Sequence, residues 1–148
     1  MVFYVWVLIF SLMNSPEDLG CESMKEGEFK IIDVQDDGSK LVTFIERKGN
    51  EQIETVEEIG LKMSFEVVWL SECAYTLEWK ETIRNEAGFE YPTDLVVRVD
   101  IIEIGENYYV QRSSSNLYDF TKECKVVKVS NPQFISMEKS STDVVRHF

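Results

Sequence analysis

The chain has 148 residues, with 27 acids against 15 Lys and Arg, three cysteines, a single histidine and 44% hydrophobic residues. A chain of this length folds as one unit that buries about two-thirds of its unfolded surface, enough for a core without structural metal. A net charge of −12 argues against nucleic acid or an anionic membrane surface as partner, because a protein must bring cations to phosphates, and the glycine motifs of dinucleotide sites, P-loops and nucleophile elbows are absent.

Met1–Met13 (MVFYVWVLIFSLM) holds one polar residue, Ser11, and is followed by the turn-prone Asn14-Ser15-Pro16-Glu17-Asp18. As a helix this run reaches about 20 Å, short of the roughly 30 Å hydrocarbon core, but it has the length of a secretory signal's apolar region. Residues 1–20 therefore read as a signal-peptide-like segment with its linker, although no basic residue precedes it; an apolar first strand or core helix is the alternative. The chain is expected to be exported, to the periplasm, the cell envelope or the medium. Leu19-Gly20-Cys21 partly matches the box before a lipidated cysteine. Cys21 is thus either a lipid acceptor or a disulfide partner of Cys73, which an exported protein allows; the expected arrangement is Cys21–Cys73 paired and Cys124 free. Membrane contact is expected only through the signal or a lipid anchor.

From there the chain reads as strands. Short candidates at Phe29–Val34, Leu41–Arg47 and Gln52–Glu57 are followed by a longer one, in which Leu61, Met63, Phe65, Val67 and Trp69 alternate with Lys62, Ser64 and Glu66. Tyr75, Leu77 and Trp79 alternate with Thr76, Glu78 and Lys80, and Leu95, Val97, Val99 and Ile101 with Arg98 and Asp100 in the segment running to Ile104. Asn107–Ser113 and Lys125–Val129 complete the set. Period-two alternation marks half-buried strands. Asp37-Gly38, Gly49-Asn50 and Gly105-Glu106-Asn107 supply tight hairpin turns, while Arg84–Tyr91 and Ser113–Thr121 are longer loops with room for a helical turn. The fold expected is all-β, an antiparallel meander of about eight strands over residues 21–129 that forms a lipocalin-like barrel or strongly curved half-barrel, since curling removes exposed edges. A two-sheet sandwich is the alternative. Residues 130–148 form a polar C-terminal tail.

Two segments carry a resemblance. Cys21-x-x-x-Lys25-x-Gly27-x-Phe29-Lys30 and Trp69-Leu70-Ser71-x-Cys73-x-Tyr75-x-Leu77 are similar to paired motifs of small, uncharacterised exported or lipoprotein-like all-β proteins of Bacteroidota. The similarity covers roughly Cys21 to Val129 and implies an exported all-β domain with Cys21 and Cys73 as partners; it implies no reaction. Cys124 and the tail fall outside the pattern. Gly27-Glu28-Phe29 also resembles the G-x-W that opens lipocalins, with Phe in place of Trp, an analogy of shape.

Catalysis has little to rest on. His147, the single histidine, lies beside the C-terminus, so Ser/His and Cys/His mechanisms lack a base. Neither a histidine-built zinc site nor a CxxC pair is present, and no metal or cofactor is expected. Asp33, Asp36 and Asp37 do not have calcium-loop spacing, and Asp36-Asp37-Gly38 reads as a hairpin turn. Glu54, Glu57 and Glu58 read as an exposed strand end and turn. Cys124, between Lys122 and Lys125, reads as a packed thiol in preference to a reactive one. The candidate ligand-binding residues are Phe65, Trp69, Tyr75, Trp79 and Tyr108, inward-facing aromatics that line a pocket if the barrel is open and are core if it is filled. The function expected is that of a non-catalytic, monomeric cell-envelope or secreted binding module for a small hydrophobic ligand. The alternative is an acidic protein-interaction or inhibitor domain with a basic protein partner.

Overall fold

A computed structural model describes residues 20–129; the signal-like segment and the C-terminal tail lie outside the described residues. Eight strands follow one another: β1 Gly27–Val34, β2 Lys40–Lys48, β3 Glu51–Val56, β4 Leu61–Ser71, β5 Ala74–Asn85, β6 Val96–Ile104, β7 Tyr108–Ser115 and β8 Thr121–Lys128. Each pairs antiparallel with the next, and β8 returns to β1, so the sheet is a closed, lipocalin-like up-and-down barrel. The two short helical elements are 3₁₀ turns at Cys21–Met24 and Glu57–Ile59. They do not fall in the expected loops, parts of which are strand: β5 runs on to Asn85, β7 to Ser115, and β8 already begins at Thr121.

Local chemistry sets the hairpins. Between β1 and β2 the Asp37 carboxylate accepts from the Ser39 amide at 2.8 Å and the Ser39 hydroxyl at 2.5 Å, and Gly38 takes a positive φ of 82°. These bonds hold the Asp37 carboxyl below its ordinary range. Between β6 and β7 the ring of Tyr108 lies directly over Gly105, where a Cβ would meet it at 2.0 Å; glycine is there for the close approach.

The barrel has two unlike ends. At one, β1 begins, β8 ends, and the turns join β2 to β3, β4 to β5 and β6 to β7. The 3₁₀ turn Cys21–Met24 plugs this end, with Cys21 and Met24 fully buried, and a Cys21–Cys73 disulfide ties it to the β4–β5 turn at a Cα separation of 5.4 Å. Cys124 is free. Here the core is dense, and Phe29, Val67, Tyr75, Val99, Tyr109 and Val126 are each no more than 1% exposed. At the other end, the mouth, β1 and β8 part. Their ladder consists of Phe29↔Lys128 and Lys30↔Val127 alone, against eight pairs between β1 and β2. Above that ladder the seam is bridged by the Lys122 ammonium, 2.9 Å from the Asp33 carboxylate.

Candidate functional site

The plugged end is organised around one buried cation. Arg47 on β2 points inward and is 2% exposed. Its guanidinium donates to the Met24 carbonyl at 2.8 Å, to Gln52 Oε1 at 2.8 Å, to the Tyr75 hydroxyl at 2.9 Å and to the Tyr109 hydroxyl at 3.0 Å. It also lies over the rings of Tyr75 and Phe29, 4.7 and 5.1 Å from their centroids. A charge this deep is tolerated when each of its nitrogens has an acceptor and aromatic faces supply the remaining field. Burial pushes the Tyr75 phenol well above its ordinary value, so it stays neutral. The network also ties down the plug, through the Met24 carbonyl, and Lys128 holds it separately by donating to the Ser23 carbonyl at 2.8 Å.

Further along the same strands several inward residues are small or polar, Thr43 on β2, Thr82 on β5, Gln111 and Ser113 on β7 and Cys124 on β8, beside the larger Ile31 on β1 and the buried Leu61 and Met63 on β4. Short side chains fill less of a barrel's interior than the large ones at the plugged end do. Ile31, Thr43, Glu54, Trp79, Gln111 and Cys124 accordingly remain partly open to solvent although they point inward, and the mouth side forms a cup. Trp79 is held in its wall by a 3.0 Å bond from its indole N–H to Thr82 Oγ1. Tyr91 folds in from the β5–β6 loop, its ring 5.7 Å from that of Phe65 in an edge contact.

Glu54 is the acid in this cup. It pairs in the ladders with Ile45 on β2 and Met63 on β4, both buried, so its neighbours on either side are apolar. Gln52 Nε2 donates to Glu54 Oε1 at 2.6 Å. Burial raises the Glu54 carboxyl above its ordinary value, against the opposing pull of the Gln52 bond and the Arg47 charge. The Tyr91 phenol is pushed up to about 12, first by burial and then by the Glu54 charge. Burial likewise raises the Cys124 thiol, outweighing Lys122, which fits a packed thiol and not a reactive one.

The expected ligand residues separate. Phe65 and Tyr75 are core, 3% and 1% exposed, and Trp69 stacks on Tyr75 at 4.7 Å beneath the plug. Trp79 alone of the five lines the cup. Tyr108 requires a correction: it stands on the outer wall with the Lys125 ammonium 4.1 Å from its ring centroid, and its neighbour Tyr109 enters the core. β7 runs without a bulge against β8, and its register sets Tyr109 opposite the fully buried Val126, so Tyr109 faces the core and Tyr108 faces out. Glu54, expected on an exposed strand end, is the second correction. β3 offered weak alternation, with Gln52 and Glu54 against Ile53 and Thr55, and the hydrophobic pattern alone selects the wrong face. The signal that finds it is the polar set Arg47, Gln52 and Glu54 at positions that adjoin in a hairpin.

The four loops at the mouth, residues 35–39, 57–60, 86–95 and 116–120, carry Asp36, Asp37, Glu57, Glu58, Glu86, Glu90, Asp94 and Asp119 and no Lys or Arg. They also expose Phe89, Leu117, Tyr118 and Phe120, each between 42% and 52%. Among the described residues no group of three or more His, Cys, Asp and Glu is placed to hold a metal ion, and no helix is long and apolar enough to cross a membrane. The disulfide fits an oxidising, extracytoplasmic environment. No protein-family model, curated protein or solved structure matches the chain.

Proposed function

We propose that the domain is an exported, non-catalytic binding module that takes one small hydrophobic or amphipathic molecule into the mouth-side cup. A single observation carries this: the inward side chains of Ile31, Thr43, Glu54, Trp79, Gln111 and Cys124 around the mouth half are only partly buried, whereas Phe29, Arg47, Tyr75 and Tyr109 at the plugged end are sealed. Concave, partly apolar sites with few polar groups are where small molecules bind. Trp79, Tyr91 and Ile31 supply apolar contact, and the exposed aromatics of the loops extend it to the rim.

Titration with the neutral fluorescent probe N-phenyl-1-naphthylamine tests it. A saturable rise in fluorescence is expected at one site per chain, lost in Ser113→Trp, which fills the cup, and kept in Val68→Ser on the outer wall. Circular dichroism checks that both variants fold. A wild-type protein that shows no saturable binding, or a folded Ser113→Trp that binds as well as wild type, overturns the proposal.

A further inference from the structure

We infer that the molecule held in the cup is an amphipathic amine, its cationic head seated on the Glu54 carboxylate and its apolar body against Trp79 and the mouth aromatics. This rests on the cup being the binding site, and goes beyond it by assigning the ligand's chemistry.

Three observations converge. The first is the direction of the hydrogen bonds. Arg47 donates to Gln52, and Gln52 donates to Glu54, so the polar chain that rises from the plug ends in the cup on a group that only accepts. An ionised carboxylate has room for about four hydrogen bonds. Among the described residues Glu54 has no ion pair within 4.0 Å, since the pairs formed involve Glu22, Glu51, Glu57, Asp100, Glu123 and Asp33. A ligand meeting this end must bring donors. A carboxylate or phosphate head would place like charge against it.

The second is what surrounds Glu54. Ile45 and Met63 flank it on the adjoining strands, and burial already works against its charge. A cation seated there relieves that cost, and the ring of Trp79 offers a π face in the same cavity. The neighbouring polar groups, Gln111 and the Cys124 thiol, are engaged with each other.

The third is the field outside. Eight acids and no base lie on the mouth loops. Of the bases at the adjoining strand ends, Arg84 is paired with Glu57 and Lys122 with Asp33, while Lys40 and Lys62 stand on the outer wall. Such a rim concentrates cations and repels anions. Its exposed Phe89, Leu117, Tyr118 and Phe120 give an apolar tail a surface to cross.

Competition separates this inference from the cup itself. Dodecylamine, dodecanol and dodecanoate, each below its micelle concentration, are titrated against bound N-phenyl-1-naphthylamine in wild type and in Glu54→Gln. The amine is expected to displace the probe about tenfold more tightly than the alcohol, the size of one charge-assisted hydrogen bond, and the carboxylate more weakly than either. In Glu54→Gln the amine's advantage falls to near parity while the probe still binds. Because that variant keeps every rim acid, an amine preference that survives in it shows general attraction to an acidic protein and overturns the role of Glu54. Equal displacement by all three heads overturns the inference and leaves the cup standing. Failure of the probe to bind wild type removes the cup, and the inference with it.

Discussion

At the plugged end the inward residues include Phe29, Arg47, Tyr75 and Tyr109; a few residues along the same strands they include Thr43, Thr82, Ser113 and Cys124, with Ile31 and Met63 beside them. The backbone around both levels is one closed eight-stranded sheet. What differs is side-chain volume and how many polar groups find partners. Large residues and a guanidinium with an acceptor for each nitrogen make the first level a core that holds the fold together, and shorter residues leave the second less tightly sealed. A closed barrel is therefore neither filled nor hollow by topology; inward side chains decide it, level by level.

That contrast can be broken from the plugged end. Arg47→Met leaves four buried acceptors, on Met24, Gln52, Tyr75 and Tyr109, without their donor. At roughly 1 kcal/mol or more for each, the expected loss is about 4 kcal/mol in urea unfolding, the largest of the changes considered. The cup should still bind probe in whatever fraction remains folded. Cys21→Ser with Cys73→Ser comes next, at about 2–4 kcal/mol, the range for a bridge closing a loop of this length. Its signature is a urea midpoint equal to that of reduced wild type. Either variant matching wild type would show that the plug is not what stabilises the barrel.

The smallest effect sharpens the contrast from the mouth. Burial raises the Glu54 carboxyl in the folded state, so its favourable contribution is fully present below the unfolded value of 4.5 and is lost as pH rises through the higher folded value. Glu54→Gln imitates the protonated form and keeps the Gln52 bond. Its melting temperature should exceed that of wild type at pH 7, with the gap closing as pH falls toward 4.5. A constant gap, or a less stable variant at pH 7, would show that Glu54 is well solvated and the cup more open than its apolar flanks suggest.

The barrel was legible in the sequence to the extent that alternation was clean. Leu61 to Val67 and Tyr75 to Leu77 face as period two requires, and all eight strands lie where such runs occur. The pattern fails where a bulge changes parity. Shifts in the β4–β5 ladder carry β5 on to Asn85, past the point where its alternation stops, and in β7, which has no bulge against β8, it is Tyr109 and not Tyr108 that faces the core. Adjacent tyrosines of equal hydrophobicity give no means of choosing between them. β8 starts early because the exposed Thr121, Lys122 and Glu123 are held by pairing with β7 and not by burial. The cup was harder to see, since it is lined in part by residues too small to announce a face and by a glutamate that alternates with the outward Ile53. Arg47 and Glu54 are tied through Gln52, a link that appears only when β2 and β3 are folded against each other.

The path of the chain at the plug also settles how the molecule is presented. The described chain begins at Gly20, immediately before the plug, and ends at Val129, whose amide donates to the Glu28 carbonyl at 2.8 Å, so both ends emerge beside the sealed face. Anything joined upstream or downstream, whether leader, tether or fused reporter, meets the barrel on the side opposite its opening. A molecule whose described domain is fastened at Gly20 or Val129 is joined at its sealed face and not at the rim of the cup.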